Sequence, residues 1–250
     1  MKLEKYTLKR SQFDALSRQE QVFLAQLLHY LNEIWIVRHT LLISNNRLRN
    51  RVGVALSAQI AQSNFLIKLH AGLLYEAWRT IEKTYGRLNT THRYDLPQES
   101  MDSLAALKKY FNTGTPLVKY IRQKHAFHCD AERVAEGINL VSRDEPLEVY
   151  MATEGGNFFC PQAELMGNAS LLAFIEAGDI KQATERFMLE ILVEVTEKIT
   201  TFAHGFSAVL LARAGAVRSQ EDETVDASPR SIHELPYFMA KDISIEQPPA

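Results

Sequence analysis

Sulfur chemistry is nearly absent from this chain. Only two cysteines occur in 250 residues, Cys129 and Cys160, and no C-x-x-C pair is formed. That spacing excludes a zinc knuckle and a dithiol redox motif, and two isolated thiols suit a reducing compartment. Long apolar runs are absent too. The best stretches, Leu69 to Trp78 and Phe202 to Val217, are short or interrupted by polar residues, so no membrane-spanning helix is expected. The opening residues MKLEKYTLKRSQFD contain no apolar h-region, which argues against a secretory signal and for a cytoplasmic location. A surplus of positive charge is also missing. The net charge is −2, which excludes wholesale packaging of nucleic acid through phosphate contacts while allowing a local basic patch.

What the chain does have is an ordinary globular composition, 46% hydrophobic and 23% charged, with enough length for one large core. Its apolar residues recur at helical spacing. Ser17-Arg18-Gln19-Glu20 is a capping box, in which hydroxyl and carboxylate each satisfy a backbone amide of the other residue. Beyond it Phe23, Leu27, Leu31 and Ile34, widened by Leu24, Leu28 and Trp35, predict an amphipathic helix to about Ile43. A second helix is expected from about Val54 to Tyr85, with Leu56, Ile60, Phe65, Leu69, Leu73, Trp78 and Ile81 inward and Gly86 as its stop. A third covers Glu99 to Phe111, with Met101, Leu104, Leu107 and Phe111 inward.

Thr115-Pro116 opens a further helix, with Thr115 as N-cap, and another is expected over Ala131 to Val141. Leu147 to Met151 and Phe158 to Cys160 flank Glu154-Gly155-Gly156-Asn157, which predicts a small β-hairpin. A short helix over Gln162 to Glu176 precedes a long one starting near Asp179. Phe187, Ile191, Val195, Ile199, Phe202, Phe206 and Leu210 form its apolar line. The fold class expected is mainly all-α, an antiparallel helical bundle with a small inserted β-hairpin. The bundle is assigned residues 1–217. Residues 218–250, acidic at first and holding four of the eight prolines, are assigned to a polar, Pro-rich tail that could dock through Leu235 to Phe238.

The densest chemistry lies in Tyr120-Ile121-Arg122-Gln123-Lys124-His125-Ala126-Phe127-His128. An arginine, a polar follower and a histidine after a five-residue gap resemble the motif of the HEPN superfamily. The run Lys124 to His128 is similar to a stretch in bacterial HEPN-like proteins of the abortive-infection type. The resemblance implies a helical homodimer acting on RNA in stress or phage defence, in some cases beside an antitoxin-type protein partner. It also implies a metal-independent endoribonuclease with Arg122, Gln123 and His128 at the catalytic centre. The residue types suit attack of an RNA 2′-hydroxyl on its own phosphodiester. A neutral imidazole, His128, takes the hydroxyl proton, and the guanidinium of Arg122 faces the developing negative charge. Gln123 can hydrogen-bond the phosphate or the imidazole, and no metal or other cofactor is called for.

Lys124 and His125 would contact RNA beside this centre, with the basic run Arg47, Arg49 and Arg51 as a further phosphate-binding element. The alternative is a non-catalytic helical interaction protein. In that reading Arg122 makes an ion pair with Asp130 or Glu132, His128 caps a helix end, and the arginine run is a solvated interhelix turn. His125 and His128 lack a third ligand at a recognisable spacing, so no metal site is assigned. His29, His39, His70 and His204 are read as packing or surface residues.

Overall fold

A computed structural model of the chain describes residues 2–46, 52–125, 131–140, 147–151, 158–175 and 186–222. Helix α1 (Arg10–Asp14) is a short lead-in to α2 (Arg18–Asn46), which begins at the expected capping box. The Ser17 backbone N–H donates to Glu20 Oε2 at 2.8 Å, and the Glu20 N–H donates to Ser17 Oγ at 3.4 Å. Phe23, Leu24, Leu27, Leu31 and Ile34 are buried as predicted, whereas Leu28 faces solvent and Trp35 is half-buried.

Helix α3 (Gly53–His92) is longer than its sequence suggested, because Gly86 lies inside it. A mid-helix glycine costs about 1 kcal/mol relative to alanine. Burial of Tyr85 and Leu88 on either side of Gly86 outweighs that cost. The helix ends instead at Arg93, whose left-handed φ of 50° turns the chain, with its N–H on the Asn89 carbonyl at 2.9 Å. Asn89 Oδ1 accepts the N–H of Tyr94 at 3.0 Å. The buried face of α3 repeats every seven residues through Ile67, Leu74, Ile81 and Leu88, with Ala71, Trp78 and Tyr85 between. Phe65 was expected inside but is exposed: the stretch around it is apolar on most sides, so periodicity alone left the phase of the stripe open.

Helix α4 (Gln98–Asn112) buries Leu104, Leu107 and Phe111 and leaves Met101 exposed at its start. Helix α5 (Leu117–Lys124) follows Pro116, which is itself the N-cap residue in extended conformation. Helix α6 (Ala131–Leu140) and helix α7 (Pro161–Phe174) pack against each other. Between them β2 (Tyr150–Met151) and β3 (Phe158–Phe159) pair antiparallel as the expected hairpin. The Glu154 to Asn157 turn lies outside the described residues. At Gly137 of α6 the two helices approach closely, since a methyl group there would fall on the main-chain carbonyl of Met166. Gly137→Ala should therefore push α6 off α7 and destabilise the fold by roughly 1 to 3 kcal/mol. Chemical denaturation would check this, and an unchanged midpoint would refute the close approach.

The final helical stretch divides into a π-helix (Met188–Val195) and α8 (Thr196–Arg213). Every member of the predicted apolar line, Phe187, Ile191, Val195, Ile199, Phe202, Phe206 and Leu210, is buried. The strict four-residue spacing of the first members fits the wider helix, in which i→i+5 bonding puts more residues into each turn. Helix α2 packs along α3, α4 along α8, and α5 against α3, giving the antiparallel, mainly helical bundle. Aromatic contacts close its centre: Phe206 meets Phe23 and Tyr94 with ring centroids 5.0 Å apart, and Trp78 stacks on Phe111 at 5.0 Å.

A second small sheet had no sequence signal. Strand β1 (Lys2–Thr7) pairs antiparallel with β4 (Val217–Asp222), from Lys2 opposite Asp222 to Thr7 opposite Val217. Residues 218–222, grouped with the tail by composition, are thus strand paired to the start of the chain. Polar side chains populate both faces of this ribbon, so neither strand shows alternation to read. Among the described residues, no helix is long and apolar enough to cross a membrane. The tail segment Leu235 to Phe238 lies outside the described residues.

Candidate functional site

Helix α5 carries the motif residues. Leu117, Val118 and Ile121 face the core, and this buried edge holds the helix against α3. Arg122 is next around the helix and reaches the α3 surface. Its Nε and Nη2 both lie 2.9 Å from Oε1 of Glu76. Side-chain exposures of 28% and 41% leave the pair in contact with water, so its net stabilisation is about 1 kcal/mol or less. Its larger effect is to fix the direction of a planar guanidinium. The spacing-based reading placed the carboxylate partner at Asp130 or Glu132. Asp130 lies outside the described residues, and Glu76, 46 residues upstream, is a partner that nothing in the spacing of the motif signals.

Gln123 is exposed, and Lys124 and His125 are half-buried. The helix stops at Lys124. His125 leaves helical geometry at φ −130° while its N–H still donates to the Ile121 carbonyl at 2.8 Å. The His125 ring sits 5.4 Å from Tyr120, and Tyr120 stacks on Phe174 of α7 at 3.6 Å. The end of α5 is therefore held between α3 and α7. Arg122, Gln123, Lys124 and His125 all lie at this end of α5. His128, Arg47, Arg49 and Arg51 lie outside the described residues.

A second polar cluster sits in the core, where sequence reasoning placed only a packing histidine. His70 of α3 has no exposed surface, and its Nε2 lies 2.8 Å from Thr196 Oγ1. The single hydroxyl proton of Thr196 is committed to the Ile191 carbonyl at 2.7 Å, so the imidazole must be the donor in its bond to Thr196. That assigns the neutral ring with its proton on Nε2, leaving Nδ1 as a buried acceptor without a hydrogen-bond partner among the described residues. Burial first, and the nearby Arg38 charge second, push the His70 pKa down to about 3. Arg38 of α2 is itself half-buried, its guanidinium 4.7 Å from the centre of the Trp35 ring and its Nε without a hydrogen-bond partner among the described residues.

Two further polar clusters, each joining different elements, complete the polar framework. Tyr110 of α4 donates to Glu190 Oε1 at 2.6 Å and accepts the Val118 N–H at 3.3 Å. Glu20, fully buried, receives the Tyr94 hydroxyl at 2.7 Å and Arg213 Nη1 at 2.8 Å, besides its capping bond. Its capping role was legible in the sequence. Its second role, joining the start of α2 to the end of α8, was not.

Among the described residues, no three His, Cys, Asp or Glu side chains are grouped to hold a metal ion. No protein-family model matches the chain, and comparisons with curated proteins and with solved structures find no match either.

Proposed function

We propose that the chain is a HEPN-like, RNA-directed protein of the cytoplasm, acting as a homodimer in stress or phage defence, with the Arg122 to His128 window as its working element. The observation that carries the reading is the end of α5 at Lys124. On one continuous helix Arg122 and His128 would lie roughly 120° apart and could not grip one phosphodiester. A helix that stops before His128 does not impose that separation. Fixing of the Arg122 guanidinium by Glu76 supports the same reading, because a pre-aimed fork loses less entropy on meeting a phosphate. In this reading His128 takes the 2′-hydroxyl proton, Arg122 stabilises the phosphorane, and Gln123, Lys124 and His125 line the backbone, with Arg47, Arg49 and Arg51 as a further phosphate contact.

The test is cleavage of single-stranded RNA by the purified protein in EDTA. Arg122→Ala and His128→Ala should each lower the rate by at least about a hundredfold, the scale of losing a general base or a charge-stabilising donor. Equal rates in all three proteins would end the catalytic reading.

The Arg122–Glu76 ion pair favours a second reading at the same time, because it engages the guanidinium within the chain. In that reading the chain is a non-catalytic helical protein that captures a protein partner, an antitoxin-type chain among the candidates. Removing residues 223–250, which leaves β4 whole, should then abolish partner capture without loss of helicity. Capture that survives the truncation would eliminate the tail as the binding element.

A further inference from the structure

The π-helix is tied to other helices near both of its ends. At its C-terminal end the Thr196 N–H bonds to the Ile191 carbonyl, the i→i+5 bond of the π register. The Thr196 hydroxyl donates to that same carbonyl at 2.7 Å, and His70 Nε2–H donates to the hydroxyl at 2.8 Å. In an α-helix the Thr196 amide would bond to Leu192 instead. The side chain therefore adds a second bond to the carbonyl that the Thr196 amide reaches only in the π register, and His70 holds the hydroxyl in the rotamer that makes it. Near the N-terminal end Glu190 accepts from Tyr110 at 2.6 Å, and Arg186 reaches its other oxygen at 3.5 Å. The same Tyr110 hydroxyl accepts the Val118 amide in the first turn of α5, one turn before Arg122.

Runs of π-helix are rare and are maintained only where something selects them. We infer that Met188–Val195 is a two-register element. The His70–Thr196 hydrogen bond selects the π register, and that register, through Glu190 and Tyr110, anchors the first turn of α5. Rewinding the segment as α-helix shifts the backbone by one residue. Glu190 then turns by about 100° away from Tyr110, and Tyr110 loses the acceptor that orients its hydroxyl toward Val118. The path from His70 to α5 runs through hydrogen bonds near both ends of the π-helix and through its backbone between them, and a segment with two available registers is the kind of element that carries physical coupling. This inference concerns conformation and stands or falls separately from RNA cleavage.

The experiment compares amide hydrogen exchange in wild type, Thr196→Val and Thr200→Val. Both substitutions replace a buried threonine by an isosteric valine one turn apart on α8. The Thr200 hydroxyl has no partner among the described residues, however, so only Thr196→Val removes described hydrogen bonds. Exchange over 188–195 should rise roughly five- to tenfold in Thr196→Val, the scale of one lost net hydrogen bond. Exchange over 117–124 should rise with it, and residues 197–213 should hold their protection. Thr200→Val should match wild type, and Thr196→Ser should restore the wild-type pattern. Identical profiles for the two valine variants, or a uniform rise along the whole chain, would overturn the register device. A rise confined to 188–195 would overturn its link to α5. Should Thr196→Val fail to fold, Tyr110→Phe tests the same path from its other end, and unchanged exchange over 188–195 and 117–124 would refute it.

Discussion

Acidification should destabilise this protein well before its carboxylates protonate, and His70→Gln should remove most of that sensitivity. The sign follows from the imidazole. In the folded chain burial, assisted by the Arg38 charge, lowers the His70 pKa from its ordinary value of 6.5 to about 3. Above pH 6.5 the ring is neutral in both folded and unfolded chains, and stability is complete. Between pH 6.5 and about 3 the unfolded chain binds a proton that the folded chain does not, so stability falls as pH falls. The slope is about 1.4 kcal/mol per pH unit, or roughly 2 to 3 kcal/mol between pH 6.5 and 4.5. Glutamine is the informative replacement, because its amide nitrogen can still donate to Thr196 while the side chain does not titrate. Urea unfolding of both proteins at pH 6.5, 5.5 and 4.5 would check the slope. Parallel losses in wild type and variant would show that His70 is not held neutral in a dry environment.

The second large effect is expected at Glu20. Its carboxylate has no exposed surface and serves three elements together: the Ser17 amide at the start of α2, the Tyr94 hydroxyl after α3, and Arg213 at the end of α8. Glu20→Ala removes the cap, worth about 1 kcal/mol. It also leaves the Tyr94 hydroxyl without its acceptor in the core, worth about 1 to 3 kcal/mol more. Arg213 is nearly half exposed and regains water, so its share is small. A total of roughly 2 to 4 kcal/mol follows, together with non-additivity of at least about 0.5 kcal/mol in a cycle with Tyr94→Phe. A loss below about 0.5 kcal/mol would contradict the cluster's role.

Glu20 also adds its own pH dependence. Burial alone would raise its pKa, but the hydrogen bonds from Tyr94 and Ser17 and the Arg213 charge outweigh burial and hold it below the ordinary 4.5. Its stabilisation is therefore complete above pH 4.5 and is lost as pH falls below that value toward the folded pKa. The His70 contribution starts two pH units higher, so the two can be separated in one titration.

The extent to which the sequence foretold this molecule differs from element to element. Local signals were reliable where one physical rule acts alone. The Ser17–Glu20 capping box, the apolar line from Phe187 to Leu210 and the Tyr150/Phe159 hairpin follow from side chains meeting their own neighbours along the chain. The reading failed where two rules compete. Gly86 carries a stop signal that the burial of Tyr85 and Leu88 overrides, and Phe65 lies beside Leu66 and Ile67, whose directions around the helix leave the phase of the apolar stripe open. At the candidate site, the sequence placed Arg122, Gln123, Lys124 and His125 at one stretch of chain because they are consecutive, each turned about 100° from the next along the helix. It could not supply Glu76 as the partner of Arg122.

By itself, then, the sequence determined a helical chain, the starts of several of its helices, and which face of most of them is apolar. Those properties depend on residues within about a turn of one another. Only the tertiary structure decided that the two ends of the described chain close into the β1–β4 ribbon, that Glu20 is a junction as well as a cap, and that a buried imidazole meets Thr196 beside a π-helix. Each of these joins residues far apart in the chain. Hydrogen bonds between such residues leave no periodicity to read, because their geometry exists only after the helices have packed.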